Sequence, residues 1–80
     1  MPTILRAEGF VIKIYLNDHA PAHVHAIRSE GEAVITLEPV MILRSWQMRR
    51  SDLVDVKRIV SENQAVLIKR WREIHDEQGS

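Results

Sequence analysis

Eighty residues, 45% hydrophobic and 28% charged, describe one small globular domain, here taken as 1–80, and exclude a disordered segment. The chain has no cysteine, which removes disulfides, thiolate metal sites and a cysteine nucleophile from consideration. Formal net charge is zero, against the broad basic surface of a general nucleic-acid binder.

Gly9 precedes Phe10-Val-Ile-Lys-Ile-Tyr-Leu16, a run rich in β-branched and aromatic residues that predicts a first strand over about 9–16. Asn17 to Pro21 closes it with turn-forming residues, and Pro21 has no backbone donor for further pairing. His23–Arg28 alternates weakly and predicts a second strand. Ser29-Glu30-Gly31 is a tight connection into a third, about 32–37, and Glu38-Pro39 breaks it. Val40–Leu43 is taken as a buried connector rather than a fourth strand.

From Ser51 the period changes. Leu53, Val56, Val60, Leu67, Trp71 and Ile74 fall within about 60° of arc on a helical wheel. Ser51 is the expected N-cap, with Asp52 and Asp55 near the positive end of the dipole. An unbroken helix over 52–76 would be roughly 37 Å long, against about 20–27 Å for the strands. It therefore overhangs the sheet or breaks, and Ser61-Glu62-Asn63-Gln64 is the candidate interruption, with capping-box spacing and a polar Asn63 in the apolar stripe. Residues 77–80 are expected to fray. The expected architecture is α+β: a three-stranded antiparallel sheet (β-β-β-α) covered on one face by a C-terminal helix or broken helix pair.

Strand alternation puts Phe10, Ile12, Ile14 and Leu16 on the covered face, with Ala33, Ile35 and Leu37 from the third strand. With Val24 and Ala26 inward, His23 and His25 stand on the open face among Lys13, Tyr15, Glu32 and Thr36. A one-residue bulge would reverse that placement.

Three of the four histidines lie within Asn17-Asp-His-Ala-Pro-Ala-His-Val-His25. His23 and His25, two apart on a strand, could share zinc or another divalent metal with His19 as third ligand, Asp18 or Glu32 fixing a ring tautomer. No other cofactor is expected. The metal-free alternative is a ribonuclease: His23 or His25 moves protons, with Lys13, Tyr15 and an arginine around the phosphate. The bland reading leaves the histidines as sheet residues satisfied by neighbouring carbonyls. Residues 44–72 hold eight Lys/Arg against three Asp/Glu. Within that tract Arg44, Trp46, Arg49 and Arg50 are the expected partner or phosphate contacts. Trp71 belongs to the core, and His75 gains from a helix C-terminus alone.

The block Asn17-Asp18-His19-x-Pro21-x-His23-x-His25-Ala26, with Met1-Pro-Thr-Ile4, the Phe10–Leu16 run, Glu32-Ala33, Leu67 and Trp71, resembles the domain-of-unknown-function family 4160 of small bacterial proteins. Members commonly carry a second proline where this chain has Ala22 and a Gly-x-Leu-Pro-like turn where it has Ser45-Trp-Gln-Met48. The resemblance implies no activity. It does imply a gene placed beside another small protein, similar to toxin–antitoxin pairs. A sheet-plus-helix of this kind also looks like a double-stranded-RNA-binding-type fold, used by some RNA-cleaving toxins.

The function expected is a small partner-binding module of a toxin–antitoxin-like pair, the ribonuclease and a histidine-ligated, metal-dependent hydrolase being the alternatives. Its partner is a neighbouring protein or a second copy, since so small a core commonly gains stability from another chain, with RNA as the alternative. No apolar run approaches the roughly 20 residues that cross a bilayer, so no membrane contact is expected. The lack of cysteine and of a secretory-type N-terminal pattern points to the cytoplasm.

Overall fold

The computed structural model describes residues 3–79, with side chains from 3 to 75; Met1, Pro2 and Ser80 lie outside the described residues. Five strands, β1 (Thr3–Ala7), β2 (Phe10–Lys13), β3 (His23–Arg28), β4 (Gly31–Leu37) and β5 (Val40–Trp46), are followed by helices α1 (Arg50–Glu62) and α2 (Gln64–Gly79). The strands form one antiparallel sheet in chain order. The class is α+β as expected, but the sheet has five strands rather than three.

Hairpin chemistry accounts for the two added strands. Ala7 pairs with Phe10 across Glu8-Gly9, whose φ angles are 52° and 84°. Positive φ at both central residues suits the right-handed twist of flanking strands, so Thr3–Ala7 folds back onto β2. Leu37 likewise pairs with Val40 across Glu38-Pro39, and the expected connector is the first half of β5. There Thr36 donates its hydroxyl to the Pro39 carbonyl at 2.6 Å, closing the turn from inside. The first predicted strand is correspondingly too long. β2 stops at Lys13, and Leu16, expected inside, is exposed.

One face carries the core. Phe10, Ile12, Val24, Ala26, Ala33, Ile35 and Leu37 pack under Val56, Ile59, Val60, Leu67 and Trp71 from the helices, all buried. Burying side chains of this size at about 25 cal/mol per Å² is the main force closing the helices onto the sheet. Leu53 and Ile74, at the ends of the predicted stripe, are half-buried against the same cluster.

Helix α1 starts earlier than expected. Its N-cap is Arg49, and Asp52 in the first turn reaches back to accept the Arg49 backbone N–H at 2.9 Å. That carboxylate satisfies a donor left free by the helix start, the task expected of Ser51. The helix breaks at Asn63, whose amide donates to the Ile59 carbonyl at 2.8 Å. Gln64 then donates to the Leu37 carbonyl at 2.6 Å, fixing the start of α2 to the end of β4. α2 runs to Gly79, past the predicted end at 76 and through most of the segment expected to fray.

Candidate functional site

β2 leaves the sheet after Lys13, and the loop that follows folds back at Asp18. The Asp18 backbone N–H donates to the Tyr15 carbonyl, and its carboxylate accepts the Tyr15 N–H, each at 3.1 Å. Asp18 therefore closes its own turn, and the same carboxylate meets the rings of His23 and His25 at the start of β3. Val24 and Ala26 are fully buried on the helix face, so both histidines belong to the opposite, open face, as alternation predicts.

The hydrogen bonds orient both rings. His23 Nδ1 lies 2.8 Å from the Pro21 carbonyl oxygen. A carbonyl only accepts, so Nδ1 carries the proton and Nε2 of the neutral ring is bare. That Nε2 lies 3.5 Å from Asp18 Oδ1. His25 lies between two carboxylates: Nδ1 is 3.2 Å from Glu32 Oε2, and Nε2 is 3.2 and 3.1 Å from the two Asp18 oxygens. Two imidazoles, each held from behind by an acceptor, thus turn the same nitrogen toward one carboxylate.

Asp18, His23 and His25 offer ligand atoms that all lie within 4.8 Å of one another among the described residues. Two ligands about 2.0–2.1 Å from a tetrahedral zinc stand about 3.3 Å apart. The shortest carboxylate-to-ring spacings here, 3.1 and 3.5 Å, bracket that value. The side chains are 14% (Asp18), 14% (His23) and 15% (His25) exposed, shielded but reachable.

Aromatic rings extend the site in both directions. Tyr15 stands edge-on to His25 at 4.6 Å between centroids, and His23 to His25 at 5.2 Å. The His23 ring also lies 5.3 Å from that of Trp71 of α2, and Trp71 stacks on His75 at 3.7 Å. This contact joins β3 to α2, and no spacing in the sequence reveals it. His75 Nδ1 donates to the Trp71 carbonyl at 2.9 Å, and its buried Nε2 has no partner among the described residues.

The remaining predicted residues divide into two groups. Lys13 is directly opposite His25 across β2 and β3. Arg44 and Trp46 lie on β5, with the Arg44 guanidinium 5.7 Å from the Trp46 ring. His19 is exposed, and the group with ligand spacing contains Asp18 in its place. Arg49 and Arg50 are exposed at the start of α1, away from the histidines in the chain and on a different element.

The model of one protein family, described as a domain of unknown function (DUF4160), matches residues 9–72. The chain belongs to that family. No curated protein and no solved structure matches the chain. The DUF4160 match spans β2 and runs into α2, and it includes Asp18, His23, His25 and Glu32, so the candidate ligand set lies inside it. Among the described residues, no helix is long and apolar enough to cross a membrane.

Proposed function

We propose that the domain binds a divalent metal ion through Asp18 and the Nε2 atoms of His23 and His25, and that it uses the ion for hydrolysis. One observation carries this reading. His23 has its Nδ1 proton on the Pro21 carbonyl, and His25 has Glu32 as an acceptor for the same position, so with the protons on Nδ1 both neutral rings present bare nitrogens to the Asp18 carboxylate. Lone pairs facing a carboxylate repel it, and a cation among the three turns repulsion into coordination. Glu32 behind His25 and the Pro21 carbonyl behind His23 are the supporting acceptors that metal-ligating histidines almost always have.

Two imidazoles and a carboxylate suit zinc and also iron(II). Three protein ligands leave coordination positions open, where a dication polarises a substrate oxygen and lowers the pKa of water. Cytoplasmic operation is part of this proposal, supported by the absence of cysteine. The test is calorimetric titration of metal-stripped protein with zinc, nickel and manganese, with histidine ring signals followed by NMR. One saturable site shifting His23 and His25 together, and lost in His25→Ala, supports it. Independent ring titration without a metal response would sink it and leave the metal-free ribonuclease as the reading of the same rings.

A second reading is supported by β5, an edge strand with Met41, Leu43 and Trp46 each about half exposed. Such an edge invites an added strand. Arg44, Arg49 and Arg50 flank it, so a second copy would bring like charges together, and an acidic segment of another protein fits better. Cross-linking through residue 43 to an adjacent-gene product would support this module. An unchanged hydrogen-exchange rate along β5 on mixing the two would refute it.

A further inference from the structure

His25 sits mid-row on the open face, and its neighbours in that row are informative. Register places Lys13 of β2 directly opposite it on one side, Val34 of β4 on the other, and Arg44 of β5 beyond Val34. Strands lie about 4.8 Å apart, so the two cations stand one and two strand spacings from the metal ligand. Neither has a carboxylate within salt-bridge distance among the described residues. The carboxylates beside the rings, Asp18 and Glu32, are both taken by the histidines. The next row runs Val11, Ile27, Glu32 and Trp46, with Trp46 half exposed beside Arg44.

A neutral substrate has no use for two free cations flanking a dication. A substrate with repeating negative charge and flat apolar groups matches both rows. We propose, resting on the metal reading above, that the substrate is a phosphodiester of single-stranded nucleic acid lying across the open face. Lys13 and Arg44 hold phosphates on either side of the metal, and a base stacks on Trp46. A duplex fits less well, because its bases are already stacked and a chain of zero net charge offers it no wide basic surface. In the reaction the oxygen of a water forms a bond to phosphorus. The bridging P–O bond breaks with its electron pair on the leaving oxygen, which takes the proton the water loses. One water is consumed, and a phosphomonoester and an alcohol result.

The experiment uses full-length, zinc-loaded protein with fluorescein-labelled octauridylate and octathymidylate, and zinc binding is measured separately by calorimetry. Two phosphate contacts on a single strand predict a slope of log K against log salt of about −1.4. Lys13→Ala and Arg44→Ala should each flatten it by about 0.7, and Trp46→Ala should weaken binding about tenfold. All three should bind zinc as the wild type does. Zinc-dependent cleavage that falls with Lys13→Ala and Arg44→Ala supports the assignment, and the uridylate and thymidylate arms decide between RNA and DNA. Cleavage of neither oligonucleotide, or rates indifferent to both substitutions, overturns it while the metal site stands. Failure to bind zinc at all removes the metal reading itself, and the calorimetry reports that before any oligonucleotide is added.

Discussion

Glu32→Gln tests the metal site most sharply, because Glu32 touches no metal in the proposed arrangement and acts only by holding His25 Nδ1 at 3.2 Å. Zinc at about 100 times the wild-type Kd stabilises the native state by about 2.7 kcal/mol. A domain of this size gains about 4–8 °C in Tm per kcal/mol, so wild type should melt about 11–22 °C higher with zinc than without. The substitution keeps an amide oxygen that can accept from Nδ1 but removes the charge, and changing the partner behind a ligating histidine typically weakens metal binding about 10–100-fold. The Glu32 side chain is 38% exposed, so water replaces part of what it supplies, and about tenfold is expected. At the same zinc concentration that leaves about 1.4 kcal/mol and a rise of about 6–11 °C. Asp18→Asn loses the charged ligand, and a hundredfold weakening leaves about 0.4 kcal/mol, or about 2–3 °C.

The assay is thermal unfolding by circular dichroism, with each variant compared with its own metal-free melt so that changes in the bare fold cancel. His19→Ala is the control and should rise as wild type does. A wild-type rise in both Asp18→Asn and Glu32→Gln would refute the reasoning. Loss of the rise in His19→Ala alone would refute it as well, and would return the histidine trio His19, His23 and His25.

Other substitutions test the fold that carries the site. Gly31→Ala would drive a methyl into the Gln47 carbonyl and to 2.9 Å from Met48 Cγ, and should cost about 3 kcal/mol in urea unfolding. Gly9→Ala meets only the flexible Arg28 side chain but forces an L residue to φ +84°; it should cost about 1–2 kcal/mol by the same measurement. Leu67→Ala empties a fully buried position under the sheet and should cost about 2–5 kcal/mol. Gln64→Ala leaves the Leu37 carbonyl without its side-chain donor; a cost of about 1 kcal/mol is expected, with faster hydrogen exchange at the start of α2.

The covered face was legible because its period is simple. Phe10, Ile12, Ile35, Val56, Val60, Leu67 and Trp71 are where alternation and the helical stripe put them. The edge strands were not, because their evidence lies in two-residue turns rather than in periodicity. Glu8-Gly9 gives a hairpin only once Ala7 and Phe10 are seen as partners, and Glu38-Pro39 looks like a stop until Val40 pairs back. The histidine face was legible for the same reason as the core, since Val24 and Ala26 go inward. The ligand set was less so. Asp18 and His19 are adjacent, and which of them meets the rings depends on a loop that Asp18 itself shapes by bonding Tyr15.

β5 shows how one unpaired residue changes the chemistry a face can offer. From Leu37↔Val40, Thr36↔Met41 and Ile35↔Ile42, plain alternation would turn Arg44 and Trp46 toward the helices. The register shifts at that point, and Leu43 is left opposite no residue of β4, so Arg44 pairs with Val34 and Trp46 with Glu32. Both then stand on the histidine face, where burial is incomplete and a charge keeps its water. An Arg44 turned inward would be an unpaired cation against the Ile35 and Val56 core, at several kcal/mol. The bulge thus removes a conflict between sequence and fold, and by the same shift it brings a cation and an indole into the row system of His25. Deleting Leu43 should therefore leave that face intact. With the extra residue gone, Arg44 follows Ile42 and pairs with Val34 by plain alternation, and Trp46 still meets Glu32, so oligonucleotide binding and zinc affinity at Asp18, His23 and His25 should both stay as in the wild type. Loss of the Arg44 and Trp46 contributions in a deletion variant that folds by circular dichroism would show that the bulge does more than set the register.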